Sequence, residues 1–183
     1  MRQRDPLSNP APLIRRVYSY VAYRLGDGPD AEDVTSDVFE RALRYRGSYD
    51  DSRGRPLPWL LGIARRCVDD ALLRRPPIDD RDLGEQPSGE NLEEDAVRRL
   101  SVAAAVGRLD DRARDLLALR YGAGLSAREI GEVVGSKTNA VEVALHRTHT
   151  RLRADLEREP REAPSSIGKQ AARPAEAAGH DGT

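Results

Sequence analysis

The stretch from Ala123 to Ser136, Ala-Gly-Leu-Ser-Ala-Arg-Glu-Ile-Gly-Glu-Val-Val-Gly-Ser, leaves the backbone few paths. Ser126 followed three residues later by Glu129 is a capping box, in which each side chain satisfies the other residue's free amide at a helix start. Ile130, Val133 and Val134 then share one side of a short helix. Gly135 supplies a residue that enters the left-handed region without steric cost, and Ser136 is placed to cap a second helix with Val141, Leu145 and Leu152 as its apolar stripe. A short helix, a tight turn and a longer helix make a helix-turn-helix, the unit that sets its second helix in the major groove of duplex DNA. On this reading Ser136, Lys137, Thr138, Asn139 and Glu142 occupy the start of the reading helix. His146, Arg147, Arg151 and Arg153 lie further along, placed to reach phosphates. The same grammar also builds ordinary helical bundles, so the pattern alone leaves both readings open.

The rest of the chain is helical too. Leu13, Ile14, Val17, Val21 and Leu25 recur at helical spacing from about Ala11 until Gly26 and Gly28 end the run. Pro29 and Asp30 introduce a second helix, with Glu32 and Asp33 on its positive N-terminal end and Val34, Val38, Phe39, Ala42 and Leu43 along one face. Arg46 to Pro58 is a loop by its Gly, Ser, Asp and Pro content, expected to expose Tyr49 and three arginines. A third helix is expected to open at Trp59, bury Leu60, Ile63, Ala64, Cys67, Val68 and Ala71, and stop at Pro76-Pro77. Further helices are expected from about Leu92 to Gly107, Asp110 to Tyr121, Ser126 to Val134 and Ser136 to Glu157.

Charge divides the chain more sharply than its total suggests. The formal net charge is -1, yet residues 76–95 hold eight acidic residues against the single Arg81, so the flanking segments are correspondingly more basic. With no sustained periodicity, residues 77–92 read as an acidic linker, and the Ala-, Pro- and Gly-rich 159–183 as a disordered tail. The expected organisation is all-α: one small helical domain over 1–76, the linker, and a second over 93–158. Only 4% of residues are aromatic, which favours helix-bundle cores over a β-sandwich.

Several function classes drop out. Cys67 is the only cysteine, so neither an intrachain disulfide nor a Cys-built zinc site is available. His146, His149 and His180 offer no metal-ligand set, and no Gly-rich phosphate loop or nucleophile elbow occurs. No run approaches the roughly 20 apolar residues of a membrane span, and the N-terminus lacks a signal-peptide core. The expectation is a cytoplasmic, non-enzymatic protein without membrane insertion, cofactor or metal.

Residues 109–153 resemble region four of the sigma-70 family, in the form found in extracytoplasmic-function (ECF) sigma factors. The resemblance rests on Leu109, Arg114, Leu119-Arg120-Tyr121, Gly124-Leu125-Ser126 and Glu129-Ile130. Asp30-Ala31-Glu32-Asp33-Val34 with Val38-Phe39 is similar to the family's region two signature, and Trp59-Leu60, Ile63-Ala64-Arg65 and Asp70 to its following helix. Two motif sets in the family's order are more specific than either alone.

The resemblance implies a sigma factor that binds core RNA polymerase through the largest subunit's clamp and the flap, recognises promoter DNA and promotes strand opening. Glu32, Asp33, Asp37 and Glu40 would face the clamp, although Glu32 and Asp33 serve equally well as dipole partners on a solvated face. Tyr45, Tyr49, Arg53, Arg55, Arg65 and Arg66 would hold the opened minus-ten element by stacking and cationic contact. Trp59 reads better as a core anchor than as a stacking platform. The acidic linker would run across the polymerase's RNA path, or serve as a solvated spacer. An anti-sigma factor is a candidate further partner.

The reading helix departs from the family pattern. Asn139-Ala140-Val141 and Glu142-Val143-Ala144 stand where Gly-Thr-Val and a Lys-Ser-Arg-like run are usual, and Glu142 opposes phosphate, which implies weak or unusual minus-thirty-five recognition. Thr35-Ser36 and Leu109-Asp110 also differ from the usual Val-Gln and Leu-Pro. The competing reading is a sigma-like helix-turn-helix regulator that binds DNA without initiating transcription.

Overall fold

Each of the first three helices begins on a proline, a residue whose missing amide costs nothing in a helix's first turn and whose ring fixes a helical φ. In the computed structural model, which describes residues 5–74 and 101–158, these are α1 (Pro10–Leu25), α2 (Pro29–Tyr45) and α3 (Pro56–Arg74). Helix α3 therefore starts a turn before Trp59, because Pro56 is accepted at the one helical position where it does no harm. The preceding loop is ordered by two single 3₁₀ turns, Arg46–Ser48 and Asp51–Arg53, the second capped by the Asp50 carboxylate accepting from the Ser52 amide at 3.0 Å. The expected linker 77–92 and tail 159–183 lie outside the described residues.

Residues 101–107 are helical and lead into α4 (Asp111–Leu117), whose start is capped by the Asp110 carboxylate accepting from the Ala113 amide at 2.9 Å. The chain then widens into one π-helical turn, Ala118–Gly122, before α5 (Ala127–Val134) and α6 (Thr138–Arg158). Among the described residues there is no strand, and the all-α expectation holds.

The apolar faces of the two halves meet. Val17, Tyr20 and Val21 of α1, Val38 of α2 and Leu60, Leu61, Ala64 and Val68 of α3 belong to the same buried cluster as Leu117, Leu119, Leu125, Ile130 and Val141. Helix α1 packs against the 118–122 turn, and α3 against α5. At the first contact, a Cβ added to Gly122 would stand 2.7 Å from the Ser19 carbonyl oxygen, so the approach requires glycine. Cys67 is buried, as its apolar-face position implied, and burial pushes its thiol pKa up.

Leu60 is fully buried whereas Leu73, on the same helix, is 86% exposed. Leu60→Ala is expected to lower stability by about 2–5 kcal/mol, and Leu73→Ala to change it by less than about 0.5 kcal/mol. Urea denaturation midpoints at constant slope measure both, and equal losses would place the core elsewhere.

Candidate nucleic-acid interface

The capping box forms as the spacing demanded. The Glu129 amide donates to Ser126 Oγ at 3.3 Å, and Glu129 Oε2 accepts from the Ser126 amide at 2.9 Å. Gly135 ends α5 in the left-handed region at φ 67° and ψ 37°. The turn is tight because the backbone of Ser136 folds back over α5. Its amide donates to the Gly131 carbonyl at 2.9 Å, and a Cβ on Gly131 would lie 2.6 Å from the Ser136 carbonyl oxygen. That commitment moves the next helix start: the Lys137 carbonyl accepts from the Val141 amide at 3.2 Å and α6 begins at Thr138, so Ser136 belongs to the turn rather than to the cap expected of it.

Lys137, Thr138, Asn139, Glu142, His146 and Arg147 are all exposed along α6, while Ser136 is half-buried. Arg151 is exposed, and its Nη2 donates to the Arg108 carbonyl at 3.4 Å. One contact on this helix had no signal in the sequence. The Tyr121 hydroxyl and His149 Nε2 lie 2.8 Å apart with their rings tilted at 50°. Tyr121 stands in the π turn and His149 on α6, 28 positions apart.

A groove of about 670 Å³ opens between α3 and the loop before it. Tyr45, Trp59, Ile63 and Arg66 line one side, and Glu132 and Val133 of α5 line the other. Tyr45 is 54% exposed and Arg66 is exposed. Tyr49, expected to be exposed on its loop, is buried: its hydroxyl donates to the Gly54 carbonyl at 2.8 Å and its ring packs 5.5 Å from Trp59 at 58°. A phenol at the centre of a short loop can bond that loop's own backbone, and the apolar wall of α3 beside it rewards the burial. Trp59 packs partly buried against the core, as an anchor would, and also lines the groove. The backbone of Arg53 lies in the Asp51–Arg53 turn.

Arg55 of the loop and Arg65 of α3 have partners from the other half of the chain. Arg55 Nη2 is ion-paired with Glu129 of α5. Arg65 Nε donates to Asp115 Oδ2 of α4 at 2.8 Å. Asp115 is buried, and its other oxygen accepts from the Tyr20 hydroxyl at 2.7 Å. Burial, then the charge of Asp115, push the Tyr20 phenol far above its usual range, so it remains a hydrogen-bond donor at any physiological pH.

Tyr20 belongs to a polar ridge on α1. Arg16 Nε and Nη2 donate to the carbonyls of Ala123 and Gly124 at 2.6 and 2.9 Å. Arg24 Nη2 pairs with Asp111 Oδ1 at 2.7 Å, and Nη1 donates to the Asp111 carbonyl at 3.0 Å. Positions 16, 20 and 24 fall four apart and so share one helix face. The periodicity was available in the sequence, but the partners lie 87 to 108 residues away.

On α2, Glu32, Asp33, Asp37 and Glu40 are all exposed. Glu40 accepts from Arg44 at 2.8 Å, an exposed pair one turn apart. Arg41 reaches across to Asp70 of α3 at 3.1 Å, tying the acidic helix to its neighbour.

Taken together, the capped helix-turn-helix with an exposed cation-bearing second helix and the aromatic, arginine-lined groove define a two-part DNA-binding protein of helical construction. Residues 12–76 match the family described as Sigma-70 region 2, and residues 99–152 match Sigma-70, region 4. The sequence is 34% identical over 171 residues to the ECF RNA polymerase sigma factor SigD of Mycobacterium tuberculosis, covering 84% of this chain and 76% of SigD. It is 35% identical over 144 residues to the ECF RNA polymerase sigma factor BldN of Streptomyces coelicolor, covering 72% of this chain but spanning only about half of BldN, 52% of its length. The chain belongs to the sigma-70 family, among its ECF RNA polymerase sigma factors.

Two solved structures share the fold. CnrH, in complex with the cytosolic domain of CnrY, aligns with a TM-score of 0.56 and 23% identity over 81% of this chain and 82% of CnrH. The sigma factor RpoE of Bartonella quintana, in complex with the anti-sigma factor NepR, aligns with a TM-score of 0.61 and 16% identity over 80% of this chain and 93% of RpoE.

Burial raises the pKa of Glu129, but the Ser126 amide and hydroxyl and the charges of Arg55 and Arg16 more than offset it, and the net shift is downward. A carboxyl depressed by folding adds stability above its ordinary value of 4.5 and loses that contribution as pH falls through the lower folded value. Glu129→Gln keeps a capping-box side chain and removes the titration. The stability gap between wild type and E129Q, measured by thermal unfolding, is expected to be widest at neutral pH and to close on acidification below the ordinary carboxylate range. A gap independent of pH would remove Glu129 from the contact.

Proposed function

We propose that this chain is a promoter-recognition subunit of RNA polymerase that works in the cytoplasm, through binding energy alone. The part up to residue 76 engages core polymerase and the minus-ten element. Residues 77–92 serve as the acidic connection, and the part from 93 to 158 carries the helix-turn-helix for the minus-thirty-five element. The observation that carries the reading is the groove bordered by Tyr45, Trp59 and Arg66, which offers aromatic edges beside an exposed guanidinium. Bases leave the stack only when something replaces the stacking, and an aromatic surface beside a cation supplies that along with charge for the backbone.

Along α2, the exposed carboxylates of Glu32, Asp33, Asp37 and Glu40 suit a basic docking surface on the polymerase clamp. Duplex contact falls to Lys137, Thr138, Asn139, His146, Arg147 and Arg151, with Glu142 among them reducing phosphate affinity. An anti-sigma partner is consistent with the complexes formed by CnrH and RpoE.

Purified chain mixed with core polymerase is expected to yield run-off transcripts from its own promoters and to co-purify with the core at low salt. Arg66→Ala should cut transcript yield about tenfold, equivalent to about 1.4 kcal/mol, without loss of core binding. Charge reversal by D33K with D37K should abolish co-purification. A shift of duplex DNA with no transcript from any candidate promoter would instead identify a DNA-binding regulator.

A further inference from the structure

Helix α6 carries one large apolar side chain that its own fold leaves outside. Val143 is 41% exposed, whereas the other large apolar residues of the helix are buried or half-buried. Neither helix propensity nor the core accounts for it: valine is a middling helix former, and the inward side of α6 is Val141, Leu145 and Thr148. Asn139, Glu142, Val143, His146 and Arg147 follow one another at the three- and four-residue intervals that hold a single helix face, away from that inward side. Val143 therefore stands in the middle of the reading surface.

Glu142 beside it is equally out of place. It is the only acidic residue of α6 before Asp155, it is exposed, and it makes no ion pair among the described residues. Lying past the first turn of α6, it gains little from the helix dipole.

We propose that these two residues select bases: Val143 packs against the C5-methyl of a thymine, and the Glu142 carboxylate accepts from the N4 amine of a cytosine, in neighbouring base pairs of the minus-thirty-five element. The inference rests on the function proposed above and specifies its duplex site. In the major groove cytosine presents only a donor, adenine a donor beside an acceptor, and guanine and thymine only acceptors. A carboxylate, which can only accept, is satisfied by cytosine and repelled by guanine and thymine. Thymine alone among the four bases adds a methyl group, which is the match for an exposed valine. Consecutive Cα atoms are about 3.8 Å apart and stacked base pairs about 3.4 Å, so adjacent side chains suit adjacent pairs. The carboxylate that repels phosphate and lowers non-specific affinity thus makes the remaining contact selective.

The experiment selects bound duplexes from a library randomised across the minus-thirty-five window, first with holoenzyme assembled from the full chain and core polymerase, then with the full chain alone. Wild type, E142Q and V143S are compared; both positions are exposed, so neither substitution empties the core. Wild type is expected to enrich a cytosine about tenfold over the wrong base, next to a thymine favoured about fourfold. E142Q should exchange the cytosine for adenine, because an amide side chain pairs bidentately with N6 and N7, and keep the thymine. V143S should lose the thymine preference alone. Deoxyuridine in place of that thymine removes only the methyl; it should weaken wild-type binding about fourfold and leave V143S binding unchanged.

An E142Q chain that binds every duplex more tightly with wild-type base preferences would reduce Glu142 to charge repulsion, and deoxyuridine bound as well as thymine would remove Val143; either result overturns the proposal. So does an absence of enrichment at these pairs in both arms, and holoenzyme that still transcribes would then leave the sigma role standing. Selection of the two bases by a chain that never engages core polymerase would keep the readout and remove the sigma role instead.

Discussion

Asp115 sits buried between two helices that are remote in sequence, and its charge is tolerable only because Tyr20 and Arg65 both reach it. An isolated carboxylate in that position would carry several kcal/mol of desolvation cost. Holding it therefore fixes three elements at once: α1 through Tyr20, α3 through Arg65 and α4 through Asp115 itself. The apolar residues around it, Val17, Val21, Leu117 and Leu119, gain from burial in any close arrangement, and hydrophobic contact is not directional. The hydrogen bonds select one arrangement among them, and Arg16 and Arg24, one turn to either side of Tyr20, add the same orientation at both ends.

The local grammar of the helices was legible because it depends on neighbours three or four residues apart. Ser126 and Glu129 form the capping box, Gly135 takes the left-handed turn, and Pro29 opens α2. Where reading and structure part, the cause is a contact that local spacing does not encode. Ser136 was free to cap α6 until its backbone was committed to Gly131. Tyr49 looked exposed in a polar loop until Trp59 and Gly54 gave it a ring to pack on and a carbonyl to donate to. The start of α3 moved to Pro56 because proline's exclusion from helices does not extend to the first turn.

The candidate DNA-contacting residues divide in the same way. Those on α6 are exposed as a reading helix requires, since their neighbours on that helix, Val141 and Leu145, define which side faces inward. Arg55 and Arg65 are different. Residue type and position on the loop and α3 marked them as cations for a nucleic acid, and they do hold negative charge, but it is that of Glu129 and Asp115 in the other half. No periodicity within residues 46–66 distinguishes a phosphate partner from a carboxylate 50 or 74 positions away.

That ambiguity has a physical basis in the guanidinium itself. A guanidinium binds carboxylate and phosphate with the same fork of donors, so one surface can serve two partners in turn. Exchange between them costs little as long as neither is left unpaired in a dry site. Around Arg55, which is 74% exposed at its side chain, water can bridge the interval; around Asp115, which is buried, it cannot. Burial therefore ranks the two pairs: the outer one between Arg55 and Glu129 is the easier to exchange, and the one on the buried Asp115 the harder.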